Sequence, residues 1–314
     1  MKDMIVTGGY GFIGSNFIHL HNKMNRPVLN IDNLTYAANL DNLANLPHPA
    51  LYRHKAIAIQ DSANLAEIMM REQPEVIVNF AAETHVDRSI NQAEPFFSTN
   101  VMGTLNIAQT IMDHSPHTHL VHISTDEVYG SLTDKDPQST EKDRFNPSSP
   151  YSASKASAEH IVNAFVKTHG LRATILRLTN CFGPRQHGEK FIPTVIRNAL
   201  QDRPIPLYGD GQNRRSWLYV EDACRAISTI VAIKPRGVYN IGSKNELANI
   251  YVAKTILRAM GKSDDLIEFV EDRKGHDYRY SISSRKMKFS LGEYELVSFA
   301  TGIQDTIDYY REHT

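Results

Sequence analysis

Short apolar runs alternate with longer stretches of helical periodicity through the first 178 residues. The runs at 4–7, 28–31, 54–59, 76–80, 120–123 and 173–178 have the length and uniform apolarity of strands buried on both faces. Between them, helical patterns lie near 12–24, 64–71, 95–112 and 152–168. In the longest, Phe97, Val101, Leu105, Ala108 and Met112 recur at spacings of 4, 4, 3 and 4, which makes one apolar stripe. Strands alternating with helices at this rhythm predict a doubly wound parallel sheet covered on both faces, an α/β fold. After residue 178 the texture changes. A Gly- and Pro-rich loop at 180–190 precedes a helix at 192–200, and Gly209-Asp210-Gly211 marks a turn. Helices at 221–233 and 246–260 and strands at 238–241, 267–270 and 280–282 follow. The expected organisation is one domain over 1–178 and a smaller α/β domain over 179–314, with segments around 215–242 returning to the first.

Composition narrows the class. A formal net charge of −1 without a basic run speaks against nucleic-acid or anionic-membrane partners. Two cysteines, Cys181 and Cys224, cannot form a disulfide framework and suit a reducing compartment. The chain enters its first motif within a few residues of Met1, which leaves no room for a signal peptide, and no apolar run reaches 18 residues. A cytoplasmic protein is expected. The histidines show no ligand spacing, so no metal is expected.

The first strand runs into Gly8-Gly9-Tyr10-Gly11-Phe12-Ile13-Gly14. A tight turn, close backbone approach and a helix N-terminus are what a pyrophosphate needs, so this segment predicts a Rossmann-like dinucleotide site. Asp32 ends the second strand, 18 residues beyond Gly14, where an acid binds a ribose diol and repels a 2′-phosphate. NAD is therefore expected over NADP. Further on, Ser124-Thr125-Asp126-Glu127 ends a strand, and Tyr151 and Lys155 are four apart at the start of a helix, on one face. A tyrosine whose phenol pKa is lowered by an ammonium can accept an alcohol proton near neutral pH. Two adjacent carboxyls at a strand's C-terminal end add a second acid and base, more than a simple oxidation needs.

Together these segments resemble the extended short-chain dehydrogenase/reductase superfamily. The runs from Asp32 to Ala37, Ala81 to Ser89, Ser124 to Gly130, Tyr151 to Lys155, Gln186 to Pro193 and Trp217 to Asp222 resemble, more narrowly, nucleotide-sugar 4,6-dehydratases, above all those acting on dTDP-glucose. The resemblance extends to about residue 285. It implies tightly held NAD that is regenerated in each cycle, a nucleoside-diphosphate hexose as substrate and a 4-keto-6-deoxy sugar nucleotide as product. Tyr151, with Lys155 and Thr125, would take the C4 hydroxyl proton. Glu127 would take the C5 proton, and a protonated Asp126 would donate to the departing C6 oxygen. Cofactor contacts are implied for Gly8, Gly11, Phe12, Ile13, Gly14, Asp32, Asn33, Leu34, Thr35, Ile59, Asp61, Phe80, Ala81, Ala82, Glu83, Thr99, Tyr151, Lys155 and Cys181. Thr84 and Thr125 would face the hexose and Asn180 the sugar or its phosphate. Lys190, Phe191, Pro206, Leu207, Tyr208, Arg215, Asn249, Arg273 and His276 would hold the nucleotide.

The chain departs from the family pattern at Cys181, Ser216 and Lys274, near the expected cofactor and nucleotide contacts, and this keeps UDP-glucose open beside dTDP-glucose. Nucleotide-sugar 4-epimerases are the rival reading, but they generally carry small or hydroxyl residues where Asp126 and Glu127 stand. A GDP-mannose type of activity is disfavoured by Asp32, because that type usually takes NADP. A non-catalytic member would commonly have lost Tyr151 or Lys155. The family also implies a homodimer through the helices at 95–112 and 152–168, the second of which carries Ala156, Ile161, Ala164 and Phe165.

Overall fold

In the computed structural model, which describes residues 4–272, 275–292 and 296–313, the chain opens with β1 (Met4–Thr7), α1 (Phe12–Lys23) and β2 (Val28–Asp32). Then come β3 (Tyr52–Ala56), α2 (Ser62–Glu72), β4 (Val76–Asn79), α3 (Val86–Asn91) and the short α4 (Glu94–Phe96). A π-helical segment (Phe97–Met102) leads into α5 (Gly103–His114), β5 (His119–Thr125), α6 (Pro150–His169) and β6 (Arg172–Leu178). The remainder is β7 (Asn180–Phe182), α7 (Phe191–Leu200), β8 (Ile205–Tyr208), β9 (Arg214–Tyr219), α8 (Val220–Ile233), β10 (Gly237–Ile241), β11 (Glu246–Ala248), α9 (Asn249–Met260), β12 (Ile267–Val270), α10 (Arg285–Leu291) and α11 (Phe299–His313).

Seven strands pair in the order β10-β6-β5-β4-β1-β2-β3, all parallel. Successive residues of each strand point to opposite faces. Ile5, Leu29, Ile31, Ile77 and Leu120 pack with Leu65, Met69, Ile107 and Val162 of α2, α5 and α6. Val6, Val28, Val78 and Val121 pack instead with Phe17 of α1 and Ile227 of α8. This two-sided cover is why the strands read as unbroken apolar runs. The strand order reverses between β1 and β4, and in such sheets the crevice at that reversal is the usual ligand site. A second sheet joins β11, β9 and β7, with β11 antiparallel to β9, and β8 pairs with β12. Among the described residues no helix is long and apolar enough to cross a membrane.

Several expectations shift. The strand expected at 54–59 is the mostly exposed edge strand β3, and Ile57 and Ile59 follow it. Residues 180–182 pair with β9 instead of looping. Residues 246–248 form β11, so the helix starts at Asn249; Glu246 is drawn into pairing by Arg214 and Arg279, at 3.0 and 2.7 Å. Residues 280–282 make only isolated bridges, such as Ser139 to Ile282. Of the stripe from Phe97 to Met112, Ala108 and Met112 pack on the sheet-side core, while Phe97, before the π turn, is exposed and the buried face of α5 is completed by Thr104, Ile107 and Ile111. β8, β9 and α11 had no counterpart in the sequence reading.

Candidate active site

The glycine turn between β1 and α1 is shaped by close approach. Gly8 has φ +70, and a Cβ there would stand 2.7 Å from the backbone nitrogen of Ala81. A Cβ on Gly14 would stand 2.4 Å from the Gly8 carbonyl oxygen. No side chain caps α1, whose N-cap is Gly11, so its first turn faces the cavity with the positive end of the helix. At the end of β2, Asp32 Oδ2 accepts from the Tyr10 amide and Oδ1 from the Leu34 amide, both at 2.9 Å. These bonds hold the carboxyl at the cavity edge, with further lone pairs for a diol. The glycine cradle, the open helix end and the anchored acid fit a dinucleotide with a free ribose.

The cavity brings together nearly all of the expected cofactor positions. Gly8, Gly11, Phe12, Ile13, Gly14, Asp32, Asn33, Thr35, Ile59, Phe80, Ala81, Ala82, Glu83 and Thr99 line it. Thr84, Thr125, Asp126, Glu127, Tyr151, Lys155, Asn180, Cys181 and Lys190 line the same cavity. Leu34 and Asp61 do not. Leu34 serves through its amide to Asp32, and Asp61 caps α2, accepting from the Asn64 amide at 3.1 Å. Gln60 lines the cavity in place of Asp61 and donates to Thr99 Oγ1 at 3.0 Å.

The reactive groups come from three elements. β5 ends in Thr125, whose hydroxyl accepts from the Glu127 amide at 3.2 Å and so turns Asp126 and Glu127 out of the strand. Asp126 is buried and its Oδ2 has no hydrogen-bond partner among the described residues. Burial, then the charge of Glu127, pushes its carboxyl up to about 7. α6 is started by a capping box between Ser149 and Ser152 with Pro150 in its first turn, and this presents Tyr151 and Lys155 together. Burial lowers Lys155 to about 8, with Glu159 acting in the opposite direction. Lys155 Nζ donates to the Ile123 carbonyl at 2.6 Å. For Tyr151 the sequence expectation is reversed. Burial first, then the Glu127 charge, raise the phenol above its usual 10, and only a hydrogen bond with Thr125 pulls notably the other way. A neutral phenol cannot accept a proton, so Tyr151 acts as a base only from its ionised form, which burial and the Glu127 charge by themselves disfavour.

Lys190 apart, the expected nucleotide residues that the structure describes do not line this cavity. Tyr208 stacks edge-on with His276 at 6.1 Å, and His276 Nδ1 bonds Asp272 at 2.5 Å. Pro206 is exposed on β8, whereas the Leu207 side chain is in the core. Arg215 is nearly buried; its guanidinium donates to the carbonyls of Arg214, Asp277 and Tyr278 and lies over the Tyr280 ring. Asn249 opens α9, its amide bonded to the Asn213 carbonyl at 3.0 Å. Phe191, the first residue of α7, packs against Trp217. Arg273 and Lys274 lie outside the described residues. Ser216 is buried, with its hydroxyl on the Ser243 carbonyl at 3.1 Å.

Sequence reasoning passed over Asn100, Thr179, Gln186 and Glu189. Asn100 sits in the π segment and fixes Glu83 through both backbone groups, at 2.9 and 3.0 Å, and Ser154 at 2.8 Å. A polar residue inside an apolar helical pattern was its only signal. Glu189 gathers His85, Arg88 and His187 within 3.5–3.7 Å, and Lys190 donates to the Thr84 carbonyl at 2.9 Å, which joins the 84–88 and 187–190 loops. Among the described residues no cluster of His, Cys, Asp and Glu is arranged to hold a metal.

The comparisons with known proteins agree with this geometry. The family profile described as GDP-mannose 4,6 dehydratase matches residues 5–306. The dTDP-glucose 4,6-dehydratase of Neisseria meningitidis is 40% identical over 100% of this chain and 94% of its own. The low-salt glycan biosynthesis protein Agl12 of Haloferax volcanii is 47% identical over 98% of both chains. The crystal structure of DesIV, a dTDP-glucose 4,6-dehydratase from Streptomyces venezuelae solved with NAD bound, superposes with a TM-score of 0.94 at 41% identity, covering 99% of this chain and 97% of that one. A UDP-glucose 4-epimerase from Thermotoga maritima reaches 0.91 at 26% identity over 99% of both chains. Shape alone therefore does not separate the two activities, whereas the higher sequence identity to the dehydratases does. The chain belongs to the nucleotide-sugar 4,6-dehydratases of the extended short-chain dehydrogenase/reductase family.

Proposed function

We propose that this protein converts dTDP-glucose to its 4-keto-6-deoxy derivative, using NAD held through each cycle. The observation that carries the reading is the buried, raised carboxyl of Asp126 beside a second carboxyl, Glu127, in the cavity that also holds Tyr151. Asp126, pushed up to about 7, is suited to give a proton, and its neighbour Glu127 to take one. An epimerase has no use for that pair. NAD, when bound, supplies a hydride acceptor that later becomes the donor. Tyr151, reacting from its phenolate form with the Lys155 ammonium beside it, takes the proton of the C4 hydroxyl and becomes the neutral phenol, with Thr125 sharing its hydrogen bond. Once C4 is a ketone, the C5 proton is acidic and Glu127 removes it. Asp126 protonates the C6 oxygen as it leaves, and a proton is finally returned to C5.

The donor base is the finer point. Thymine and uracil differ by one methyl, and a single methyl discriminates by about 1–3 kcal/mol. Incubation with dTDP-glucose and with UDP-glucose, without added NAD, followed by mass spectrometry for loss of water, tests this reading. Faster conversion of dTDP-glucose supports it. Preference for UDP-glucose moves the assignment to the uridine substrate, and no loss of water from either sinks it.

The protein is further proposed to be a homodimer. Phe97 and Met102 stand exposed on the π segment, and Ile161 and Phe165 are only half-buried on α6, the two helical stretches through which the family forms its dimer.

A further inference from the structure

Tyr151, Lys155 and Glu159 occupy every fourth position of α6 and so share one face. Lys155 Nζ donates to the Ile123 carbonyl at 2.6 Å, and Ser124 Oγ donates to Glu159 Oε1 at 2.6 Å. Two successive turns of α6 thereby grip two successive residues of β5. One turn back on the helix is Tyr151, and one residue on along the strand begins Thr125-Asp126-Glu127. The grip is what relates the tyrosine to the acid pair.

Glu159 is itself fixed from β6. Arg177 Nε lies 3.0 Å from both carboxylate oxygens and Nη2 lies 2.6 Å from Oε2, with the Glu159 side chain wholly buried. Arg177 Nη1 donates to the Tyr129 hydroxyl at 2.5 Å, and Tyr129 donates to Asn240 Oδ1 at 2.9 Å. The guanidinium also lies over the rings of Tyr129 and Phe145. A buried ion pair adds little stability over an apolar replacement of the same size, so packing alone does not account for this one.

We propose that Glu159, anchored by Arg177, is a positioning residue: it registers Tyr151 against Thr125–Glu127 and supplies the buried negative charge that keeps Lys155 an ammonium. The inference rests on the reading that Tyr151 and Lys155 serve the dehydratase reaction. The groups around Lys155 are Tyr151 and Glu159 from α6, Asp126 and Glu127 after β5, His122 within β5 and Cys181 from β7, with Arg177 of β6 on the Glu159 carboxylate. His122 is kept neutral by burial. Burial already brings Lys155 to about 8, and Glu159 is the group that opposes it. Without that charge the ammonium loses its proton near working pH.

The test separates the two duties. Glu159→Gln removes the charge and retains an acceptor for Ser124, whereas Ser124→Ala removes the grip and retains the charge. The Lys155 side chain is followed by carbon-13 NMR titration in the full-length protein, its signal assigned with Lys155→Arg, and kcat and KM are measured alongside. Glu159→Gln is expected to lower the Lys155 midpoint by about one pH unit or more, with kcat falling about tenfold or more and KM changing less than about threefold. Ser124→Ala is expected to lower kcat while leaving the midpoint in place. A Lys155 midpoint unchanged in folded Glu159→Gln overturns the electrostatic duty, and an unchanged kcat in Ser124→Ala overturns the registering one. If Glu159→Gln does not fold, Glu159→Leu with Arg177→Met replaces the pair by apolar groups; the midpoint is then expected to fall by less, because the Arg177 charge goes too, and an unchanged kcat overturns the registering duty. The titration needs no sugar substrate. Failure of the wild-type protein to dehydrate either sugar nucleotide therefore sinks the reaction reading, not this measurement.

Discussion

The Asp126 carboxyl is raised to about 7 by its burial and by the charge of the adjacent Glu127. Thr125 sets this relationship up, because its hydroxyl holds the Glu127 amide and ends the strand where the two acids turn into the cavity. Like charges held so close cannot both ionise easily, and the more buried one keeps its proton. Elimination of water needs one acid and one base on the same substrate, and the pair is arranged to be that.

Asp126 has to be protonated to act, so elimination is expected to slow as pH rises through about 7, a limb visible in kcat. Asp126→Asn should remove that limb and lower kcat by about 10²-fold or more. The sign for stability is opposite. A carboxyl raised from 3.8 to about 7 contributes fully below 3.8 and loses that contribution as pH rises to about 7. Asp126→Asn should therefore be more stable than the parent at pH 8, by up to about 4 kcal/mol, with a smaller difference at pH 5.5.

Glu127→Gln removes the base for C5. The expected result is a loss of about 10²–10⁴-fold in kcat, with exchange of the C5 proton into deuterated water suppressed in parallel. Exchange at the parental rate would assign the C5 proton to another group.

Gly14→Ala places a Cβ where the Gly8 carbonyl stands, 2.4 Å away, and neither backbone can yield cheaply. The purified variant should retain much less NAD than the parent, read by absorbance after denaturation. Replacing Asp32, whose two oxygens are held by Tyr10 and Leu34, by Ala should lessen the preference for NAD over NADP.

Sedimentation should give a dimer for the parent, and Phe97→Glu with Met102→Glu should shift it toward monomer by burying charge in an apolar contact. A stable parental monomer contradicts the interface.

The parallel sheet was legible because β1, β2, β4, β5 and β6 are buried on both faces and so read as apolar runs. The glycine turn, Asp32, the acid pair and Tyr151-Lys155 were legible because each demands particular residue types at fixed spacing. What escaped depends on tertiary contact. β11 exists because Arg214 and Arg279 hold Glu246, and β8 carries Pro206 on its exposed side, which a local pattern reads as loop. Across the π segment only the later part of the expected stripe, Ala108 and Met112, meets the sheet-side core, and the buried residue that matters in the segment, Asn100, is polar. The direction of the Tyr151 shift was misjudged for a related reason. Spacing reveals that Lys155 is near, whereas the burial and the Glu127 charge that raise the phenol depend on the fold.

The most direct test of the account uses dTDP-glucose carrying deuterium at C4, incubated with the purified protein without added NAD. The predicted product has lost one water and carries the deuterium on its C6 methyl group. A hexose that keeps its C6 oxygen, with the deuterium back on C4, would contradict dehydration and identify an epimerase.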